Sequence, residues 1–425
     1  MSICQVRSAF AHQIVVLHAN RSDLSISVYL VPCNQLCEIP HGIFPSRNRV
    51  GSAVVNRLRN LISKKAKGIG VELSADRINI ARIRKQGQNF KLVNFVTAPV
   101  PEGVFQEGVI TDSAGMAELI ESLLAENKIK VKQVATAVPG GRDTVTRIIP
   151  IPAELNDQEL REMVLNQEAS LYLPFPREEA DVDYQKLGLF VDEDGIEKFQ
   201  VLLVATRKEV TDSYIQTFQQ ANLEIDVLEI ASFSLIRTIR EQLRQFSPQE
   251  AVALVDIEFE NTEISITVDG VPQFSRTVPI GTYQIQSALS RAMNLPPSRS
   301  TELLQSMTIP VTPGETTMGS PGRMGGVNPG AAAMLRVLGE LADELRRSID
   351  FYLNQGENLE VAQLLLAGPG ASIGQLDEFF TQRLALPCSQ IDPISSLGLE
   401  VEGQDILETA RPGLGIVLGL GMREA

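Results

Sequence analysis

Two segments in different halves of the chain share one pattern of hydrophobic and polar positions. Each has an apolar run that ends near an acidic residue, then a polar turn, then a stretch in which apolar and polar residues alternate. The first covers residues 67–81 and the second covers residues 251–266. Alternation with a period of two is typical of a half-buried strand, so the pattern predicts two β-hairpins. A glycine turn at 368–371 follows a further apolar run near the C-terminus.

The periodicity also predicts strands and helices between these motifs. After the first hairpin, residues 90–96 and 134–138 are predicted strands on either side of a helix at 113–127. The next part, residues 144–222, contains two predicted helices and three predicted strands. This mixture predicts a compact inserted α+β subdomain.

In the second half, a stretch rich in Pro, Gly, Thr and Met at 307–330 is predicted to be a mobile loop. A long helix is predicted at 331–353 and a shorter one at 376–384. The predicted segments begin with an extension at 1–49 and a basic amphipathic helix at 50–67. A first subdomain follows at 68–143, with a return at 223–250 after an insert at 144–222. The rest is a second-lobe subdomain at 251–281, a further subdomain at 282–349, and a segment at 350–425 that combines the second-lobe subdomain with a C-terminal helix.

The beginning of the chain differs in composition from the rest. All three histidines and three of the four cysteines precede residue 42. Residues 1–49 are therefore interpreted as an extension without fixed structure or, as we favour, the result of a translation start assigned upstream of a true start near Val50. The basic helix at 50–67 has two open interpretations, contact with an anionic membrane surface and a solubilising leader.

Size and charge exclude several classes of protein. With 425 residues and 44% hydrophobic content, the chain can bury more than one core. Its formal net charge of −14 argues against nucleic-acid binding, which needs clustered basic residues. The sequence lacks an apolar run of the roughly 20 residues that a membrane-spanning helix needs. Four cysteines without a framework of spacings are typical of a reducing compartment, so a cytoplasmic location is predicted.

The two hairpins and the glycine turn resemble the two phosphate loops and the adenosine loop of the actin-like ATPase superfamily. Within it, the order of elements is most similar to the PilM family of the type IV pilus inner-membrane platform, and it is also similar to the FtsA family. The stretches that carry the resemblance are 101–104, 108–112, 137–140, 167–169, 173–176 and 343–352.

The resemblance implies an α/β fold with an α+β insert, in which two lobes with mixed, five-stranded-type sheets flanked by helices hold ATP and Mg²⁺ between them. Glu72 and Asp256 would hold Mg²⁺ through water. The cofactor-binding residues that it implies are Gly70, Glu72, Ser74, Ala75, Asp256, Asn261, Thr262, Gly281, Asp343, Arg346, Arg347, Gly368, Gly370 and Ala371.

The chain departs from the family pattern in both phosphate turns. Ser74 replaces a usual glycine, and Asp76 adds a negative charge to the first turn. In the second turn Glu258 replaces another glycine. Carboxylates facing a polyphosphate raise its Coulomb energy, so ATP hydrolysis is expected to be weak or absent. The sequence supports no assignment of a catalytic base.

The resemblance further implies a cytoplasmic scaffold, peripheral to the inner face of the membrane. Its partner would be the N-terminal tail of PilN, bound in a groove between the first subdomain and the insert, with indirect links to PilO and the pilus motor ATPases. ATP would act as a conformational ligand. A homo-oligomer is left open. The candidate partner-binding residues are Val164, Leu171, Tyr172, Leu173 and Phe175, although an apolar stripe at helical spacing is more often part of a core.

Two other functions are compatible with the same fold. A small-molecule kinase would need an acidic residue directed at a substrate hydroxyl in the cleft, and no segment offers one. An FtsA-like division protein would form filaments and bind a division-ring tail.

Overall fold

The computed structural model describes residues 68–425, apart from 88, 142, 248, 297, 301, 310–327, 356–358, 402, 404 and 424–425, together with two short strands before residue 68. Its strands are β1 (Leu17–Ala19), β2 (Ile26–Val28), β3 (Ile69–Leu73), β4 (Arg77–Gln86), β5 (Asn89–Pro99), β6 (Phe105–Gln106), β7 (Val109–Ile110), β8 (Gln133–Val138), β9 (Thr144–Pro152), β10 (Ala180–Val191), β11 (Glu197–Arg207), β12 (Glu224–Ile230), β13 (Ala251–Ile257), β14 (Thr262–Val268), β15 (Val271–Val278), β16 (Val361–Ala367), β17 (Cys388–Gln390) and β18 (Leu399–Val401).

The helices of the described residues lie between these strands. They are α1 (Ser113–Glu126), α2 (Asp157–Glu162), α3 (Ala169–Tyr172), α4 (Lys208–Gln220), α5 (Ala231–Thr238), α6 (Arg240–Leu243), α7 (Thr282–Ala292), α8 (Glu302–Gln305), α9 (Pro329–Leu353), α10 (Leu376–Leu384), α11 (Pro393–Ser396) and α12 (Gly415–Met422). Within the described part of the chain, no helix combines the length and apolarity needed to cross a bilayer.

The first lobe is built on a mixed sheet with the order β18-β5-β4-β3-β8-β12-β1-β2. Strands β3, β4 and β5 pair antiparallel, whereas β8 pairs parallel with both β3 and β12. Every residue of β3 is buried, because helices cover both faces of the sheet. Helices α1 and α4 pack on one face, while α5 and α12 pack on the other.

The second lobe contains a five-stranded sheet with the order β15-β14-β13-β16-β17. Strand β13 is buried along its whole length and pairs antiparallel with β14 and parallel with β16. The apolar face of α9 packs with residues of α7 and α10 against this sheet. Each lobe therefore carries one of the two predicted hairpins at the centre of its sheet.

The insert is a three-stranded antiparallel sheet, β10-β11-β9, covered by the helical segment from α2 to α3. Asn156 caps α2 through a capping box with Glu159, which satisfies backbone N–H groups at the helix start. Between α2 and α3, residues Met163–Glu168 form a π-helix. Such insertions are frequent at functional sites.

The structure confirms the predicted actin-like fold with two lobes and an inserted subdomain, and it corrects one boundary. The segment 350–425 was expected to combine the second-lobe subdomain with a C-terminal helix, but its strand β18 pairs with β5 of the first lobe, and α12 packs on β3 of the same lobe. Hydrophobic periodicity reports that an element is buried but does not report which sheet covers it. The predicted helix at 50–67 lies outside the described residues. So does the predicted extension at 1–49, apart from β1 and β2, and so do residues 310–327 of the predicted loop.

Candidate functional site

The turns of the two hairpins face each other across the cleft between the lobes. In the first lobe, the backbone N–H of Ser74 donates to the carbonyl of Arg77 at 3.0 Å, which closes the turn between β3 and β4. In the second lobe, the N–H of Glu258 donates to the carbonyl of Asn261 at 3.0 Å, which closes the turn between β13 and β14. The predicted opposition of the two hairpins is therefore present in the structure.

Arg77 lies at the centre of this arrangement and connects the two turns. Its Nη2 atom is 2.9 Å from both carboxylate oxygens of Glu258 in the second lobe, and 3.0 Å from Oε1 of Glu72 in the first. Its Nη1 atom is 3.2 Å from Oδ1 of Asp76. One guanidinium group thus pairs with three carboxylates from both turns.

Burial changes the acidity of the carboxyl groups beside Arg77. Desolvation raises the pKa of Glu72 to about 7, because it outweighs the attraction of Arg77. Burial also raises the pKa of Asp256 well above its ordinary value, and the neighbouring Glu258 and Glu263 add to this shift. Oδ1 of Asp256 has no hydrogen-bond partner among the described residues. The site therefore holds more carboxyl groups than it has nearby cations to pair with them.

Five of the predicted cofactor-binding residues line one small cavity between the turns. Its volume is ≈ 50 Å³. The predicted residues in its wall are Glu72, Ser74, Ala75, Asp256 and Asn261. The sequence prediction therefore brought together residues that are neighbours in the structure.

Three of the predicted glycines are explained by close packing around the second turn. A Cβ atom on Gly281 would lie 2.4 Å from the carbonyl oxygen of Phe259. A Cβ on Gly368, whose φ is +79°, would lie 2.6 Å from Oδ1 of Asp256, and one on Gly370 would lie 2.3 Å from Cγ2 of Ile257. Gly368 and Gly370 bring the turn at 368–371 against the end of β13, and Gly281 lets the start of α7 lie against the turn between β13 and β14.

Gly70 and Thr262 have structural contacts away from the small cavity. A Cβ on Gly70 would lie 2.6 Å from Cβ of Leu420 in α12. The hydroxyl of Thr262 donates to the carbonyl of Ile280 at 2.6 Å and so holds the base of the second hairpin. Both residues support the turns from behind.

The remaining four predicted cofactor-binding residues lie in the second lobe, away from the cavity between the turns. Asp343 pairs with Arg383 at 3.1 Å, and Arg346 donates to the backbone carbonyl of Arg383. Arg347 pairs with Glu344 one turn away on the same helix. Ala371 is fully buried in the core of the second lobe. None of these four lines the cavity between the turns.

Sequence reasoning did not identify Arg77, Arg299 or Glu263 as site residues. Arg299 of the second lobe donates to the carbonyl of Ala75 at 2.6 Å, and Glu263 accepts from the backbone N–H of Gly140 in the first lobe. The one feature of the local sequence that could have indicated a role for Arg77 is its position directly after the first turn. Its partner Glu258 lies 181 positions away in the chain.

The family model of type IV pilus assembly protein PilM matches residues 70–310 and 336–425. The chain belongs to the PilM family. The match covers both hairpins, the insert and the glycine turn.

Several solved structures are similar to this chain, and one of them, with a TM-score of 0.70, shows the same fold. A structure described as the PilM-PilN type IV pilus biogenesis complex matches with a TM-score of 0.70 and 23% identity, covering 84% of this chain and 98% of that chain. Ethanolamine utilization protein EutJ from Carboxydothermus hydrogenoformans matches with a TM-score of 0.45 and 12% identity, over 87% of this chain and 96% of that one. MreB5 of Spiroplasma citri bound to ADP matches with a TM-score of 0.44 and 12% identity, over 83% and 94%.

The space between the two turns of this PilM-family chain does not fit a magnesium-bound triphosphate in the conformation described. Its volume of ≈ 50 Å³ is well below the roughly 300 Å³ at the lower end of ligand pockets, whereas the adjoining cavity of ≈ 790 Å³ shares Gly140, Glu260 and Asn261 with it. Five carboxyl groups line the space between the turns, and Arg77 beside it already pairs with carboxylates of both turns. The carboxyl groups in the wall are those of Glu72, Asp256, Glu258, Glu260 and Glu263. The predicted binding of ATP and Mg²⁺ stays a prediction.

Two larger cavities form a groove where the first lobe, the insert and the second lobe meet. One has a volume of ≈ 790 Å³ and the other ≈ 240 Å³, and they share Gly140, Gly141, Thr144 and Thr277. The larger is lined by four acidic side chains and one basic one. These are Glu102, Glu107, Asp143 and Glu260, against Arg299. Tyr172 and Pro174 of the insert line the smaller cavity.

The five predicted partner-binding residues differ in exposure. Val164 and Phe175 are buried in the core of the insert, and Leu173 packs against that core. Leu171 is 74% exposed and Tyr172 is 37% exposed, in the helical turn that follows the π-helix. Leu171 and Tyr172 are therefore the most accessible of the five predicted residues.

Proposed function

We propose that this protein is a scaffold of the type IV pilus inner-membrane assembly platform, which binds the cytoplasmic N-terminal tail of PilN. The observation that carries the proposal is the PilM family match across both lobes and the insert. The matched complex contains PilM and PilN together, and its PilM-like chain is covered almost completely by this one. The protein would act in the cytoplasm, held at the membrane through its partner.

The groove between the lobes and the insert is the proposed site for the tail. An extended peptide in a groove gains affinity from backbone hydrogen bonds and from pockets for alternate side chains. The larger cavity is lined by four acidic residues and one basic residue, and one of the four, Asp143, is paired with Arg207 at 2.7 Å. The remaining excess of acidic groups favours a tail with basic residues or a free α-amino group, and it makes the affinity fall as salt rises.

The exposed end of the insert helix supports the same location. Tyr172 is in the wall of the smaller cavity, and Leu171 beside it is an exposed apolar side chain. A large aromatic at the edge of a pocket is a common anchor in protein interfaces. The helix geometry changes at Met163–Glu168, in the turn before these two residues. We therefore place the anchor of the tail at Leu171 and Tyr172.

Nucleotide has a secondary role in this proposal. The scaffold function needs no chemical step, and the space between the two turns, in the conformation described, is too small for a magnesium triphosphate. ATP as a conformational ligand, weak or absent hydrolysis, and indirect contacts with PilO and the motor ATPases stay predictions. The match to the PilM family gives no support to the small-molecule kinase, and it gives none to the division-filament protein.

Isothermal titration calorimetry tests the proposal directly. A synthetic peptide of the PilN cytoplasmic tail is titrated into the full chain, with and without Mg–ATP, at low and high salt. We expect saturable binding with one peptide per chain, weakened at high salt. A scrambled peptide of the same composition is the control. Equal heats from the two peptides, or phosphorylation of a small substrate without peptide binding, would contradict the scaffold function.

A further inference from the structure

The two hairpin turns are joined across the cleft by direct protein contacts. The central contact is the pair between Arg77 and Glu258, with Nη2 at 2.9 Å from both carboxylate oxygens. The side chain of Arg77 is 14% exposed and that of Glu258 is 20% exposed. Water therefore screens this pair much less than it screens an ion pair on the surface.

Three further hydrogen bonds cross the cleft around this pair. Arg299 of the second lobe donates to the carbonyl of Ala75 in the first turn at 2.6 Å. The backbone N–H of Glu107 in the first lobe donates to Oε2 of Glu260 in the second turn at 2.9 Å. The N–H of Gly140 donates to Glu263. Each turn is thus held to the opposite lobe by contacts of this chain alone.

The position of Arg77 decides what else the cleft can hold. Its guanidinium group is the positive charge between the carboxylates of the two turns, where a metal ion or another cation would otherwise have to reside. The remaining cavity of ≈ 50 Å³ has room for little more than water. A phosphate chain would meet the carboxylates of Glu72 and Glu258 directly if Arg77 moved away.

We infer that Arg77 is an interlobe latch, which pairs with Glu258 to hold the two lobes closed without nucleotide and fills the space between the turns. The groove for a partner is formed by the same closed lobes, because its wall contains residues of both. In this protein the closed, groove-forming state is therefore the resting state. This inference concerns lobe closure and does not depend on the identity of the partner.

Hydrogen exchange at single amides measures how readily the cleft between the lobes opens. The N–H groups of Glu107 and Gly140 donate across the cleft, so they exchange when the cleft opens. Exchange is followed by mass spectrometry with residue-level fragmentation on the full chain without nucleotide. In Glu258→Gln we expect both amides to exchange about tenfold faster than in the wild type, since the variant loses a charged, partly buried hydrogen-bonded pair.

Two other variants separate the latch from a general loss of structure. Glu344→Gln removes a carboxylate that pairs with Arg276 at 3.2 Å within the second lobe, so it should leave both amides unchanged. Arg77→Lys keeps the charge but cannot present a planar guanidinium to the carboxylates, so it should give an intermediate rate. An amide inside the second sheet, such as that of Ile266, should exchange at the wild-type rate in all three.

Millimolar Mg–ATP completes the test. With the latch in place, Mg–ATP should not slow exchange at Glu107 or Gly140 in the wild type. The inference is overturned if Glu258→Gln exchanges at the wild-type rate, or if Mg–ATP slows wild-type exchange about tenfold, because closure would then depend on nucleotide. Titration of the PilN tail peptide into the same variants tests the proposed function separately.

Discussion

Glu229 and Arg237 form a buried ion pair behind the cleft, with both terminal nitrogens of Arg237 at 2.7 Å from the carboxylate oxygens of Glu229. The Glu229 side chain is completely buried. Arg237 also donates to the carbonyl of Gly419 at 2.8 Å, and Arg423 approaches the same carboxylate at 3.8 Å. The pair thus connects the end of β12, helix α5 and the C-terminal helix α12.

Removal of one partner of this pair should strongly destabilise the first lobe. In Arg237→Met we expect the free energy of unfolding to fall by about 3–5 kcal/mol, because a buried carboxylate loses its main partner. Urea denaturation measures the change. The double variant Arg237→Met with Glu229→Leu should recover much of the loss. Arg244→Met, which removes an exposed pair with Glu241, should cost less than about 1 kcal/mol.

Two glycine substitutions should have opposite effects on stability. Gly70→Ala should lower the free energy of unfolding by about 1–3 kcal/mol, because its Cβ would lie 2.6 Å from Cβ of Leu420 and 2.5 Å from the carbonyl oxygen of Val417. Gly339→Ala lies within helix α9 with no atom close to the new Cβ, so it should stabilise by about 0.5–1 kcal/mol. Thermal unfolding of the two variants is the measurement. Equal stability of Gly70→Ala and the wild type would contradict the packing of α12 on β3.

Asp183 should make stability depend on pH. Burial raises the pKa of Asp183 to about 8, and Oδ2 has no hydrogen-bond partner among the described residues. In the unfolded chain the pKa of this carboxyl group is about 3.9. The folded state therefore holds a proton that the unfolded chain has released, so the free energy of unfolding falls as pH rises from about 4 to 8.

Substitution by asparagine should remove this dependence. The free energy of unfolding of Asp183→Asn relative to the wild type should rise by more than about 1 kcal/mol between pH 5 and pH 8. Urea denaturation at a series of pH values measures this slope. The exposed Asp194→Asn is the matched control and should follow the wild type. Parallel curves for Asp183→Asn and the wild type would contradict the buried, protonated state.

The exposed end of the insert helix should matter for the partner and not for the fold. In the double variant Leu171→Ala and Tyr172→Ala we expect affinity for the PilN tail to fall about tenfold, because aromatic anchors dominate such interfaces. Unfolding should be unchanged, since both side chains are exposed. Leu189→Ala removes an equally apolar exposed side chain from the tip of the insert sheet and should bind normally. Loss of affinity in Leu189→Ala alone would place the tail elsewhere.

The two hairpins show which features of the structure the local sequence pattern predicts. Glu72 and Asp256 each follow an apolar run and precede a polar turn, and both predicted turns are present with the expected residues in one cavity. The insert and its helices were also predicted, because their periodicity is local. The pairing of β18 with β5 was not predicted, since a strand of three residues carries no distinctive pattern.

Local periodicity and turn chemistry specify the strands, the helices and the acidic character of the two hairpin turns, because each depends on neighbours within a few residues. The two-lobed order was expected from the family resemblance. Contacts between distant segments decided the rest: that Arg77 pairs with Glu258, that Gly70 supports α12, and that Val164 is core while Tyr172 is exposed. An ion pair across a cleft depends on where two sheets pack against each other. That packing is a property of the whole folded chain and leaves no periodic signal at either residue.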